Sequence, residues 1–476
     1  MKLFSKEGWG KVAAASPKWF GQKKQPAGRP PRPGTFGDGA GARRYALWSC
    51  VLLCAIGVLI YSNTFSSSLH FDDYPCLKFN RTIRHLFEWH NIWQYWPTRF
   101  ITFLSFAVNF HFHRFRVFGY HVVNLLIHLG SGILVWRFVF LTFSTPAVRC
   151  EDISRHAKPL SLFAGLVFIT HPIQTQAVTY ISQRAASLAT FFYMASLLLY
   201  VSSGLSRDAG HRGTGRYIAS LVMAVLAMFA KEITITLPLA ICLYEFCFFR
   251  KEKAFQWGRV LPFLFCLLII PLTALLTHFL NLVEMRRWGE AGFQGTAASY
   301  LLTQLRVTVT YVRLLFFPVR QNVDYDYPIA VSLFRPPIFG SLLLIIALIV
   351  TAARIFRKHR LISFGTYWFF LTLAPESGLI PIRDVIFEHR LYLPMVGFCF
   401  ILTGGLYHFF GRENFKRVIA PLVFVPLCFS ILSYARNFVW KDELTLWSDA
   451  AAKSPNKART CHNRDLAYSK FLVEKK

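Results

Sequence analysis

The sequence His70-Phe71-Asp72-Asp73-Tyr74 sets two carboxylates side by side, next to a histidine. Adjacent like charges repel, so the arrangement needs a reason. General-base work on a hydroxyl is one and a divalent cation shared by Asp72 and Asp73 is another, while a turn or helix cap is the plain alternative. A second cluster, Thr170-His171-Pro172-Ile173-Gln174-Thr175-Gln176, runs on to Gln183 and Arg184. Proline ends a helix there and frees backbone groups, which the histidine and glutamines can recap or which can line a cavity. Arg184 opens an apolar stretch, and its planar guanidinium suits bidentate phosphate recognition. Lys231 and Glu232 lie within the apolar stretch 217–249, where ionisable side chains are costly and mark function, unless the two serve only to pair helices. Glu388-His389-Arg390, beside Arg383 and Asp384, offers cations for an anionic substrate group, with interfacial anchoring by Arg390 and Tyr392 as the alternative.

Other chemistries fit less well. Haem or copper is suggested by His85, His90, His111, His113, His121 and His128, since His121 and His128 are two helical turns apart. No C-x-x-C-H accompanies them, and histidines buried in helices usually hydrogen-bond within the bundle. Walker A, G-x-G-x-x-G and G-x-S-x-G patterns are absent from the sequence, so a soluble nucleotide donor is not indicated. The ten cysteines are scattered through apolar segments without framework spacing and read as small hydrophobes.

These residues need elements to hold them, and the composition says which. The chain is 54% hydrophobic and 16% charged over 476 residues, more apolar surface than one water-soluble core can bury. Segments such as 45–63 and 261–280 are nearly free of charge, and a helical span needs roughly 20 apolar residues. A net charge of +29 suggests nucleic acid in a soluble protein, but its distribution argues otherwise. More than half of the 53 Lys and Arg fall in 1–44 and in the short loops near 137–159, 204–216, 250–259, 354–360 and 411–417. That is the positive-inside pattern of cytoplasmic loops, and no nucleic-acid partner is expected.

Keeping those loops inside gives about eleven spans, near 45–63, 120–141, 160–176, 185–203, 217–232, 235–249, 261–281, 336–353, 362–378, 391–410 and 418–436. The expected fold is therefore an all-α polytopic membrane bundle. A Pro/Gly-rich basic tail (1–44) reads as disordered and cytoplasmic. Two long extracytoplasmic loops, 64–119 and 282–335, carry half-apolar helices suited to the interface plane. Residues 437–476 form an extracytoplasmic helical tail, with Leu466 and Tyr468 placed like the start of a tetratricopeptide unit. With this topology the four polar clusters share one side of the bilayer. Cations aimed at a phosphate, plus a carboxylate base, describe transfer of a group from a lipid phosphate to a hydroxyl acceptor.

The segments YSNTF-x5-FDD (61–73), FGYHVVNLLIHL (118–129), THPIQTQAVTYISQRAASLATFFY (170–193), AKEITITLPLAICLYEF (230–246), YVRLLFFPVRQNVDYDYP (311–328) and FEHRLYLPMVGF (387–398) resemble the membrane O-mannosyltransferases that bear tetratricopeptide repeats, and their bacterial relatives, within the GT-C glycosyltransferases. The resemblance covers about residues 58–470. It implies a GT-C-like bundle that takes a sugar from an undecaprenyl- or dolichyl-phosphate carrier, with Asp72 as the catalytic aspartate and Asp73 as its neighbouring acid, catalytic, metal-binding or supporting. Arg184, Lys231, Glu232, Glu388, His389 and Arg390 are then donor-phosphate or cavity residues, supported by His70, His171, Gln174 and Gln183. A divalent metal is optional in this reading, and any such metal would sit on Asp72 and Asp73. The expected partners are membrane lipids, the polyprenyl-phosphate sugar, and an acceptor protein or glycan outside the cytoplasm. The wording of HPIQTQAVTYISQR and FEHRLYLP favours a bacterial inner membrane with a periplasmic site and C-terminus over the endoplasmic reticulum. A transporter or flippase of a lipid-linked or anionic substrate, using Lys231 and Glu388 in alternating access, is the main alternative. A scaffold built on 437–476 is a third.

Overall fold

A computed structural model of the chain describes residues 40–249, 255–277, 295–378, 381–382 and 384–474. Most of the basic tail, part of the second long loop (282–294) and Arg383 lie outside the described residues. The protein is 78% helical, with no strand among the described residues. It is an all-α, multi-pass membrane protein. Among the described residues, seven helical segments are long and apolar enough to cross a bilayer: Ala40–Tyr61, Val117–Thr142, Ile181–Asp208, Glu232–Phe249, Trp257–Leu276, Pro336–Ile355 and Lys416–Trp440. The other four expected spans coincide with shorter helices, Ala157–Thr170, Thr214–Met228, Arg360–Leu373 and Met395–Leu406.

Burial separates an inner from an outer set. Only 17% of Pro336–Ile355 is buried, against 67% of Ile181–Asp208, so the first presents its leucines and isoleucines to lipid and the second runs through the centre of the bundle. Val117–Thr142 packs against that central segment, and Ala157–Thr170 packs on Val117–Thr142. Phe138, Tyr244, Phe248, Phe364, Trp368 and Phe400 interlock edge to face or at a tilt in the same core. Such pairings are favoured by the ring quadrupole.

Helices Arg360–Leu373 and Met395–Leu406 cross with almost no side chain between them. A Cβ on Gly365 would lie 2.3 Å from the Gly397 carbonyl oxygen, and one on Gly397 would lie 2.4 Å from that of Gly365. Paired small residues are how membrane helices bring their backbones together.

The first long loop builds a small core of its own from Leu77, Ile83, Ile92, Phe103, Phe106 and Tyr120, closed by Ile181. Its helices, Trp89–Tyr95 and Phe100–His113, leave Phe87, Trp89 and Phe112 exposed, as interfacial helices do. The C-terminal tail is a helical hairpin, Glu443–Lys453 and Ala458–Glu474, with a two-way capping box between Asp442 and Thr445 at its start. It packs on the membrane domain through Trp440, Leu446, Trp447 and Ala467, against Tyr180 and Val323. Leu466 and Tyr468 point outward and are about half exposed.

Candidate active site

Asp72 and Asp73 are neighbours in sequence and opposites in environment. Phe71 takes a left-handed backbone (φ 46°), which costs a side chain other than glycine roughly 1–2 kcal/mol. The backbone N–H of Asp73 closes the turn on the His70 carbonyl at 2.8 Å. The two acids are thereby thrown to different sides. Asp73 is fully buried, and its two oxygens accept the backbone N–H groups of Ser182 (2.6 Å) and His70 (3.0 Å). Burial pushes its pKa up to about 7, with the two hydrogen bonds opposing and Asp72 adding to the rise. Asp73 therefore fastens the loop to the 181–183 turn. Asp72 is exposed, yet enough protein surrounds it that desolvation raises its pKa, opposed by the Tyr180 hydroxyl, Arg99 and Arg459. An accessible carboxylate with its pKa raised above the ordinary carboxylate value suits a general base. The Tyr180 hydroxyl also accepts the Asp72 N–H at 2.7 Å.

Cations gather at the same end of the bundle. Lys231 is buried and pairs with Glu376 at 2.7 Å. Glu232 accepts a two-toothed contact from Arg99 (Nε to both oxygens, 3.1 and 3.0 Å) and further bonds from Thr98 and Trp96. It joins the first loop to the end of Thr214–Met228 and is not free for substrate. Arg390 donates to the carbonyls of Val385 (3.0 Å) and Asp384 (2.8 Å). Among the described residues it has no carboxylate in salt-bridge contact, although Tyr300, Tyr311 and Glu376 favour its charge. Lys231, Arg390 and Arg99 all bear on the imidazole of His389 and, with burial, push its pKa well down. Its Nδ1 has no partner. Asp72, Arg99, Lys231, Glu376, His389 and Arg390 thus belong to one electrostatically connected cluster.

The remaining expected site residues are placed elsewhere. Arg184 is fully buried, and its guanidinium is spent on Asn124 Oδ1 (2.6 Å), the Tyr120 carbonyl (3.1 Å) and Ser105, with the Phe106 ring 4.5 Å away. This corrects its assignment as a phosphate ligand: it is a strut between helices, because every group around it is an interior hydrogen-bond acceptor or ring. Glu388 is likewise an internal fastener, accepting from Asn322 N–H, the Tyr325 hydroxyl and Gln321 Nε2. His171 accepts from Ile173 N–H and donates to the Leu315 carbonyl, so it recaps the proline break. His70 donates Nε2 to the Trp440 carbonyl at 2.9 Å. Gln174 and Gln183 are buried, and both polar side-chain atoms of Gln174 lack partners. Gln176 accepts the His389 N–H at 2.7 Å.

The metal and haem readings find no ligand set. Each oxygen of Asp73 accepts a backbone donor, and no group of three His, Cys, Asp or Glu side chains gathers among the described residues. His121 bonds to the Ser67 carbonyl, and His128 to Tyr392 and the Ile169 carbonyl.

Sequence reasoning did not single out Arg99, Glu376, Tyr180 or Arg459. Glu376 carried a faint signal, an acid closing an apolar run just after Pro375. The others are revealed only by the contacts they make.

Fold and site define a multi-pass, all-helical membrane protein that holds an accessible carboxylate opposite a set of cations at one end of its bundle. The chain is similar to the human protein O-mannosyl-transferase TMTC4, 24% identical over 87% of this chain and 63% of that protein. It is also similar to the Drosophila melanogaster protein O-mannosyl-transferase Tmtc3, 25% identical over 86% of the chain and 52% of that protein. With the human protein O-mannosyl-transferase TMTC2 it shares 29% identity over 42% of the chain. The homologues at this level are thus named as O-mannosyl-transferases over most of the chain, as the resemblance in the sequence implies. The chain spans between about half and two-thirds of the length of the first two of these relatives. No family model and no solved structure matches it.

Proposed function

We propose that the protein is an inverting membrane glycosyltransferase that moves a mannosyl group from a polyprenyl-phosphate carrier to a protein hydroxyl on the extracytoplasmic side. The observation that carries this reading is the accessible Asp72 set in one cluster with Arg99, Lys231, His389 and Arg390. Asp72 takes the proton of the acceptor hydroxyl as its oxygen attacks the anomeric carbon. The bond from that carbon to the phosphate oxygen breaks, and the polyprenyl phosphate leaves with one more negative charge than it had in the donor. Cations that meet this growing charge stabilise the transition state more than the bound donor, which is what accelerates a reaction. Arg390, with no carboxylate in salt-bridge contact among the described residues, is the strongest candidate for that place, and Lys231 acts with it on His389.

The relatives named above come from animals, which favours dolichyl phosphate and the membrane of the endoplasmic reticulum over the bacterial setting suggested by the wording of two motifs. Both settings put Asp72 on the side away from the basic loops. The test is Asp72→Asn, assayed with dolichyl-phosphate mannose and a threonine-rich peptide by mass spectrometry and by release of dolichyl phosphate. Transfer should fall by roughly a thousandfold, the middle of the range that one positioned general base contributes. Undiminished transfer in this variant would falsify the assignment, and a variant that moves donor across vesicles without cleaving it points to the transporter reading.

A further inference from the structure

The turn that aims Asp72 is held by its own loop and also by the C-terminal hairpin, more than 350 residues away in sequence. Phe71, the left-handed residue before Asp72, rests its ring on Trp447 with centroids 5.0 Å apart. The Arg459 guanidinium lies over the same Phe71 ring, 5.3 Å from its centroid. Arg459 itself is fixed by two carboxylates, Asp324 (Nε to Oδ2, 2.7 Å) and Asp384 (NH2 to Oδ1, 2.5 Å). Lys457 also reaches Asp324 at 2.5 Å. The loop on both sides of Phe71 is tied to the same hairpin. Ser68 N–H donates to the Lys441 carbonyl (3.1 Å), His70 Nε2 to the Trp440 carbonyl (2.9 Å), and the Tyr74 hydroxyl to Glu443 (2.9 Å). On the opposite wall, the backbone carbonyl of Asp384 receives Arg390. Arg459 thus links the residue before the proposed base to the residue that orients the proposed phosphate ligand.

We infer that the C-terminal hairpin is a working wall of the active site, and that Phe71, Trp447 and Arg459 are positioning residues that fix the Asp72 carboxylate relative to Arg390. The inference rests on Asp72 being the base. A left-handed phenylalanine is strained and persists only while its surroundings hold it. Once the Trp447 and Arg459 contacts go, the turn can relax to an ordinary backbone, and the Asp72 carboxylate swings away from the cleft. Misplacing a reacting group by about 1 Å costs on the order of a hundredfold in rate.

The test uses the full chain in nanodiscs with dolichyl-phosphate mannose and a threonine-rich peptide. Arg459→Gln, Trp447→Ala and Phe71→Gly should each lower kcat by about 10- to 100-fold, with KM for the donor within about threefold. Phe71→Gly removes the ring that Trp447 and Arg459 hold, and glycine leaves the turn free to take other backbone conformations. The conservative Trp447→Phe and Phe71→Tyr should restore most of kcat. The groups facing Asp72 are Tyr180, Asp73, Asp384, Arg99 and Arg459. Removing the Arg459 cation also leaves Asp384 with only the Lys457 ammonium, 3.9 Å away, so both changes raise the pKa of Asp72, and the acid limb of the kcat/KM profile should move to higher pH in Arg459→Gln. A merely structural wall would lower thermal stability and leave kcat per folded molecule and the acid limb unchanged, and that result overturns the proposal. Activity in Asp72→Asn overturns it together with the reading beneath it, whereas an inactive Asp72→Asn beside fully active, folded hairpin variants overturns this inference alone.

Discussion

Two buried arginines, Arg184 and Arg390, are nearly indistinguishable as sequence and very different as chemistry. Both begin an apolar segment beside a polar cluster. Arg184 sits where two helices and the first loop meet, and side-chain and main-chain oxygens of Asn124, Tyr120 and Ser105 absorb its donors. Arg390 also gives its donors to main-chain carbonyls, but it shares its surroundings with Lys231, Arg99 and His389. A guanidinium whose hydrogen bonds are all internal holds a bundle together. One that stands among other cations, near an exposed carboxylate, creates a field for an anion. The lesson is that the surroundings of a buried arginine decide its role, and the segment it opens does not.

Substitutions can separate the two regions. The larger effect on turnover is expected at Arg390. Arg390→Gln should lower kcat by about a hundredfold, the cost of losing one charge-stabilising donor, with a smaller fall in melting temperature than Arg184→Gln gives because fewer internal hydrogen bonds are lost, as measured by donor cleavage and differential scanning fluorimetry. If kcat is unchanged, the contrast with Arg184 disappears. Arg184→Gln should do the reverse, lowering stability by roughly 2–4 kcal/mol through lost charged hydrogen bonds while turnover per folded molecule stays within a few fold. A large loss of turnover without loss of stability would restore Arg184 to the site.

Much of the site was legible because membrane burial makes polar residues conspicuous. His70 through Tyr74, Lys231 and Glu388 through Arg390 stand out against apolar neighbours, and the basic loops give the helices their order. What the sequence concealed was the pairing. That Glu232 answers Arg99 and Lys231 answers Glu376 depends on which helices touch, and spacing does not encode it. The same holds for Asp72 and Asp73, where only the positive φ of Phe71 shows which acid turns inward. In the sequence the hairpin reads only as an extracytoplasmic helical tail. Its contribution to the site lies in Trp447 and Arg459, residues that look like any others on a polar helix until Phe71 is seen between them.

The mildest test concerns that inward acid. Asp73 has a folded-state pKa of about 7, above the ordinary value of 3.8, so the folded protein binds its proton more tightly than the unfolded chain does. The stability this gives is fully present below about pH 4 and is lost as pH rises toward 7. Asp73→Asn removes that dependence. Its melting temperature should therefore vary less between pH 5 and pH 8 than that of the parent, in otherwise identical detergent. An unchanged pH profile would mean that Asp73 keeps its charge in the fold.

The glycine crossing at Gly365 and Gly397 reaches further than its own packing. The first helix runs on into the turn that bears Glu376, and the second follows directly from the turn that bears Arg390. Main chain against main chain is a stop that no rotamer change can soften. The two helices therefore act like the arms of a caliper, pinned at mid-depth, and the gap at their tips is a property of the backbone. An alanine at either glycine would open those tips and change the spacing of charges it never touches.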